Sequence, residues 1–176
     1  MAELLSNRLL SYRMNIVELS PSEAFIVQDL AHRIWPDTFK DILSPEQLAY
    51  MLNWMYSIET LKQQMAKGHR FFVIKEDEVP LGFIGIEANY PVEGQLKIHK
   101  LYVLPDQQGK GLGKQLIDYV AQLATEQQIN MLTLNVNRFN KAVDFYTHIG
   151  FTIAFEENID IGNGYLMEDY VMNFEI

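Results

Sequence analysis

The chain has no cysteine. Disulfides, thiolate metal ligands and a cysteine nucleophile are therefore excluded. Long apolar runs are missing as well. No stretch approaches the ~18 consecutive apolar residues that cross a bilayer, so no membrane partner is expected. The opening "MAELLSNRLLSYRMN" carries polar residues where a signal peptide needs an apolar block. These shortages fit a cytoplasmic address. Low-complexity tracts, internal repeats and Gly/Ser linkers are also lacking, so 1–176 is read as a single domain. A chain of that length can bury roughly 70% of its unfolded surface.

Basic residues are the remaining shortage. Fourteen Lys and Arg face 23 Asp and Glu, a formal net charge of −9. A nucleic-acid partner would want a basic face, and none is expected here. The same charge draws cationic small molecules by long-range attraction, although an acidic surface also simply keeps a protein soluble.

What is present has a clear order. "YRMNIVEL" reads as a strand. "SPSEAFIVQDLAHRIW" reads as a helix that Pro36 stops, leaving "PDTFKDIL" as a loop. "SPEQLAYMLNWMY" is a second helix, and "SIETLKQQMAKG" a third, capped by Ser57 and ended by Gly68. "HRFFVIKE" and "PLGFIGIEANY" form a hairpin about the turn "EDEV", and "GQLKIHKLYVL" is a further strand. "GLGKQLIDYVAQLATEQQ" sets Leu116, Ile117, Val120, Leu123 and Ala124 on one helical face. "INMLTLNVN" is a strand, "KAVDFYTHIG" a short helix, and "FTIAFEENI" and "YLMEDYVMNFEI" close the chain as strands. This is an α/β order, giving a mixed sheet with helices on both faces.

Between one strand and the next helix lies "VLPDQQGKGLGKQLI". Strand, glycine-rich turn and helix point free backbone N–H groups and a helix dipole at an anion. Gln108, Gly109, Lys110, Gly111, Leu112 and Gly113 form the turn, with Lys114 in the first helical turn. A Walker A loop needs a glycine five residues before Gly113 and Ser or Thr after Lys114. Gln108 and Gln115 stand there instead. A dinucleotide fingerprint matches at Gly109 and Gly111 but meets Lys114 where its last glycine belongs. A turn with no ligand is the other alternative on the loop alone.

Gln108, Gly111 and Gly113 instead follow the order Gln or Arg, two residues, Gly, one residue, Gly or Ala, after a strand ending in "LYVLP". Downstream, "NKAVDFYTHIGF" supplies Asn140, Ala142, Phe145, Tyr146, Gly150 and Phe151. With one slip in spacing, the two motifs together resemble the GCN5-related N-acetyltransferase (GNAT) superfamily over about residues 70–175. The resemblance implies a GNAT-type mixed, mostly antiparallel central sheet of six or seven strands flanked by helices on both faces. Acceptor-side helices would occupy about residues 20–68 and an acetyl-CoA-binding core about 70–155. The cosubstrate implied is acetyl-CoA, with no metal, and its pyrophosphate is held by residues 108–114. The backbone of Leu101 and Val103 would pair with the pantetheine arm, Asn140 would bond the same arm, and Asn135 would lie at the cleft.

Direct acetyl transfer to an amine needs a neutral amine and a proton for the departing thiolate. By resemblance Tyr146 is the acid; a phenol with pKa ~10 remains protonated at neutral pH. A core Tyr on an amphipathic helix is the alternative. His99 is the candidate base, with an intrinsic pKa of ~6.5 suited to relaying a proton through water. A merely cleft-lining His reads the same way. Strand alternation sets His99, Leu101 and Val103 on one face, but the family's strand bulges near its end and can change that. His32, His69 and His148 have no such context.

The acceptor side is the aromatic-rich segment "IWPDTFKDILSPEQLAYMLNWMYSIETLKQQM". Trp35, Asp37 and Phe39 could form a mouth of aromatic faces and a carboxylate for a cation, or could be helical core. This segment and the tail "IGNGYLMEDYVM" also look like bacterial polyamine-acetylating members of the PaiA type. The expected partner is a small-molecule amine. Protein N-termini or lysines as acceptors, a non-catalytic acyl-CoA sensor, and monomer against homodimer all stay open.

Overall fold

The computed structural model describes residues 13–176. Tyr12, at the head of the expected first strand, and the opening segment lie outside them. Seven strands form one sheet in the order β1-β2-β3-β4-β5-β7-β6. They are β1 (Met14–Glu18), β2 (Arg70–Glu76), β3 (Val79–Ala88), β4 (Gln95–Val103), β5 (Met131–Asn137), β6 (Thr152–Asp160) and β7 (Leu166–Glu175). Only β4 and β5 pair in parallel; every other neighbouring pair is antiparallel. The helices are α1 (Ala24–Phe39), α2 (Pro45–Tyr56), α3 (Ile58–Ala66), α4 (Leu112–Glu126) and α5 (Ala142–His148).

Local chemistry accounts for most boundaries. Ser44 accepts from the Gln47 N–H at the start of α2, and Ser57 from the Thr60 N–H at the start of α3. Gly68 leaves α3 at φ +106°, where a side chain would be strained. The β2–β3 hairpin turns through Asp77 at φ 52°.

The Pro36 boundary is a correction. Pro36 lies inside α1, which continues to Phe39. Proline removes the hydrogen bond to the carbonyl four residues back, and here that residue is His32. Both His32 and Pro36 are exposed, so water can satisfy the carbonyl. Continuing the helix buries Trp35 and Phe39, with ring centroids 4.5 Å apart.

Helices cover both faces of the sheet. Trp35 and Phe39 of α1 meet Tyr102 of β4, while Tyr119 of α4 meets Phe72 of β2. Phe72 pairs with Ile84, and Ile84 with Leu101, so these three share the α4 face. Phe71, Gly85 and Lys100 share the α1–α3 face by the same register. Coverage on both sides explains why Phe71, Phe72, Val73 and Ile74 are all fully buried. Among the described residues, no helix is long and apolar enough to cross a membrane.

Candidate active site

β4 and β5 stay in register only from Gln95↔Met131 to Ile98↔Leu134. Immediately beyond, the β3 register steps from Ile86↔Ile98 to Gly85↔Lys100, leaving His99 as an unpaired bulge. The bulge bends β4 away from β5 and opens a wedge between their ends. Leu104 N–H donates to the Leu81 carbonyl at 2.8 Å. Backbone groups alternate sides along an antiparallel strand, so Tyr102 also faces β3, whereas Leu101 and Val103 face the wedge. Gln108 Nε2 donates to the Val103 carbonyl at 3.2 Å and ties the loop to that edge.

At the end of β4 the chain makes one 3-10 turn, Pro105–Gln107, then passes through Gly109 and Gly111, both at φ 80°. Gly111 is the N-cap of α4, and no side chain caps the helix. The first helical bond there runs from Gln115 N–H to the Gly111 carbonyl at 3.0 Å. The N–H groups of the first turn are thus free for an anion, with the helix dipole behind them. Space beside Gly109 and Gly111 is open to 4 Å, while a Cβ on Gly113 would lie 3.3 Å from Phe145 Cζ. Leu112 is buried and can offer only backbone. Lys110 donates to Gln107 within the loop at 2.9 Å, and Lys114 pairs with Asp118 one helical turn on at 2.6 Å.

Gly113 and Phe145 in contact bring the first turn of α4 against α5, and Tyr146 is the next residue. Its ring packs on Phe145 and Phe151 at 5.2 and 5.5 Å. Its hydroxyl makes no hydrogen bond among the described residues, and burial pushes its pKa well up. Tyr102 shares the upward direction, through burial and then the proximity of Tyr146 and Asp169. Two neutral phenols therefore flank the wedge. Asn140 accepts from the Ala142 N–H at 2.9 Å in the turn that leads into α5, leaving its amide NH2 available.

The bulge also separates residues that simple alternation groups together. Leu101 pairs with Ile84 and faces α4, whereas His99 reaches Glu87 on the opposite face. His99 Nε2 lies 2.8 Å from Glu87 Oε2, and His69 Nε2 lies 3.2 Å from the same oxygen. The two imidazoles stack at 4.4 Å with planes 14° apart. Burial, then Lys100 and Lys97, pushes His99 down to about 3. Burial, then His99, pushes His69 down to about 4. Lys100 itself is lowered to about 8 by burial; its Nζ donates to Gln64 at 3.2 Å and lies over the Tyr56 and Phe71 rings.

Across the wedge, Asn135 is the hub of a polar network. It accepts from Lys97 Nζ and donates through Nδ2 to Glu157 at 2.8 Å and Asp169 at 3.3 Å. Asp169 is buried, and that burial raises its pKa against the pull of Asn135. Burial lowers Lys97, opposed by Glu157 and Asp169. Trp35 and Phe39 close the aromatic wall behind Tyr102 and are themselves buried. Asp37 does not join them: it is exposed and pairs with Lys40 at 3.2 Å. A cavity of about 300 Å³ lies between the α1–α2 connection and the ends of β5 and β7, with Asp41 and Glu168 among apolar Ile42, Leu43, Phe139 and Leu166.

Residues 39–173, more than half of the chain, match the family described as acetyltransferase (GNAT) domain. The chain belongs to the GNAT acetyltransferase family. It is 28% identical over 153 residues to an uncharacterized N-acetyltransferase from the pepI 3' region of Lactobacillus delbrueckii subsp. lactis, covering 83% of this chain and 88% of that protein. It is 30% identical over 88 residues to the peptidyl-lysine N-acetyltransferase YjaB of Escherichia coli, 49% of this chain and 52% of that one. The crystal structure of the PaiA N-acetyltransferase from Thermoplasma acidophilum, in complex with coenzyme A, superposes with a TM-score of 0.79. It shares 22% identity and covers 93% of this chain and 99% of its own, a likeness of fold.

As a GNAT acetyltransferase the chain is an N-acetyltransferase that uses acetyl-CoA as cosubstrate. Its wedge and uncapped helix provide an open strand edge and an anion cradle of the kind a long phosphorylated thioester requires. Sequence reasoning missed Glu87, His69, Tyr102, Lys97, Glu157 and Asp169. Glu87 carried a faint signal, an acid ending the apolar run "PLGFIGIE". His69 carried none, because only the fold stacks it on His99.

Proposed function

We propose that this acetyltransferase acts on the primary amine of a small cationic acceptor, a polyamine being the foremost candidate, in a cytoplasmic setting. The observation that supports it is the anionic acceptor side of the wedge. Glu87, opposite Lys97 on the neighbouring strand, and Glu157 and Asp169, linked to Lys97 through Asn135, outnumber the cations beside them, Lys97 and Arg138. Asp41 in the adjacent cavity, with Glu168 paired there to Arg138 at 3.5 Å, extends that character toward a second ammonium.

On this reading the loop from Gln108 to Lys114 anchors the pyrophosphate. The edges of Leu101 and Val103, with the Asn140 amide, align the pantetheine arm. An acceptor ammonium loses one proton to water before attack; burial keeps His99 neutral, so its part on that path is to line up hydrogen bonds and not to hold the proton as a strong base. The neutral amine attacks the thioester carbonyl, a C–N bond forms and the C–S bond breaks. The thiolate takes the Tyr146 proton, and the phenolate recovers one from the amide nitrogen as it neutralises. Trp35 and Phe39 serve by holding Tyr102; Asn135 holds the carboxylates in place.

The test is a panel of spermidine, putrescine, monoamines and lysine-containing peptides, followed by CoA release and mass spectrometry of the product. Turnover of polyamines is expected. The similarity to a peptidyl-lysine N-acetyltransferase favours a second reading, acetylation of protein lysines. Peptide turnover with inert polyamines would select it. Binding of acetyl-CoA with no acceptor turned over would make the chain a sensor.

A further inference from the structure

Glu87 is a carboxylate with its side chain 21% exposed and no ion pair to Lys or Arg among the described residues. Both of its contacts are imidazoles, and both fall on Oε2; Oε1 makes no hydrogen bond among the described residues. The cations nearest to hand are committed elsewhere, Lys100 to Gln64 and Lys97 to Asn135. The groups facing the trio are Lys97 and Lys100 of β4, Lys67 beside His69, and the exposed Tyr90, whose ring lies 5.4 Å from His99. Burial lowers both imidazoles, to about 3 for His99 and about 4 for His69, so they stay neutral at pH 7; His99 hydrogen-bonds Oε2, whereas His69 Nε2 lies 3.2 Å from it without a hydrogen bond. A half-buried carboxylate whose one hydrogen bond comes from a neutral imidazole keeps Oε1 open to a cation that enters from the wedge. Metal ligation is a poor use of the trio. An ion must lie in the plane of each ligating imidazole, and two rings stacked at 4.4 Å cannot share one in-plane point.

We propose that Glu87 anchors the acceptor: Oε1 receives an N–H of the substrate ammonium, while His99 and His69, set against Oε2, hold the carboxylate in orientation. Glu87 pairs with Lys97, just before the bulge at His99, and so stands at the apex of the wedge on the acceptor side. The anchored nitrogen then has the open edge of β4 on one side and His99 on the other. The inference rests on the amine-acetyltransferase reading, but binding can be measured without turnover.

The experiment titrates butylammonium, with butanol as the neutral control, into full-length protein labelled with nitrogen-15 in histidine. Butylammonium is expected to shift the His69 and His99 imidazole signals saturably, and butanol to leave them unmoved. Glu87→Gln should abolish the shift and Glu87→Asp should retain part of it. In the acetylation assay Glu87→Gln should raise KM for the amine ~10–100-fold, the worth of a hydrogen bond to a charged group, while KM for acetyl-CoA stays constant. Unshifted imidazoles in the wild type, or an unchanged amine KM in a folded Glu87→Gln protein, would overturn the assignment. So would saturable Zn²⁺ binding that requires both histidines. If no amine is acetylated, the functional reading fails, and the titration still decides whether Glu87 holds an ammonium.

Discussion

Replacing Tyr146 by Phe removes one oxygen atom and leaves the packing of the ring intact. The ring is buried, 7% exposed, and meets Phe145 and Phe151 edge-on or tilted. Its hydroxyl bonds to nothing else in the described protein, so the fold loses no hydrogen bond. Stability should stay within ~0.5 kcal/mol of the wild type, the range of substitutions that disturb no packing or polar network. Catalysis should respond very differently. Loss of a general acid lowers kcat by ~10²–10⁴-fold, about 3–5 kcal/mol of barrier. Burial at this position prevents water from taking over easily, which favours the upper part of that range. The assays are urea unfolding, calorimetric titration with CoA, and initial rates of CoA release under saturating amine. An unchanged kcat with unchanged CoA affinity would refute the acid role.

Three further outcomes follow from the geometry. Gly111→Ala forces a side chain onto φ 80° at the N-cap of α4, with open space beside it. Strain of ~1–2 kcal/mol should lower Tm, and calorimetry should show weaker CoA binding as the first-turn N–H groups turn away. Gly85→Ala would set a Cβ 2.8 Å from Cε1 of the fully buried Phe71. Overpacking of this kind costs ~1–3 kcal/mol, read in the denaturation midpoint. For pH, His69 and His99 have folded pKa values near 4 and 3, below the ~6.5 of an unfolded chain. The unfolded state therefore binds more protons below pH ~6.5, and stability falls as pH drops from there toward 4. A His69→Gln protein should show a shallower acid slope in a pH series of urea melts.

The order of elements was legible because helical and alternating periods in this chain are strong and punctuated by Ser caps and glycines. Both motif segments also stand where a strand or a loop hands over to a helix. Pro36 misled because proline's cost depends on where the orphaned carbonyl points, and the burial of Phe39 decides that only in three dimensions. The bulge at His99 could be expected by resemblance, but its exact residue depends on pairing with β3. That one-residue step turns His99 toward Glu87 and Leu101 toward α4. Asp37 followed the same logic: two residues along a helix from a buried Trp is the solvent side. The Glu87 cluster joins residues from β3, β4 and the position just before β2, a long-range arrangement that no local spacing encodes.

A crystal structure of the chain with acetyl-CoA would show directly whether the β4–β5 wedge holds the coenzyme. The pyrophosphate should lie on the backbone N–H groups between Gly109 and Lys114, and the pantetheine along Leu101 and Val103. The thioester sulfur should then lie within reach of the Tyr146 hydroxyl. A coenzyme seated outside the β4–β5 wedge, or a sulfur on the far side from Tyr146, would contradict it.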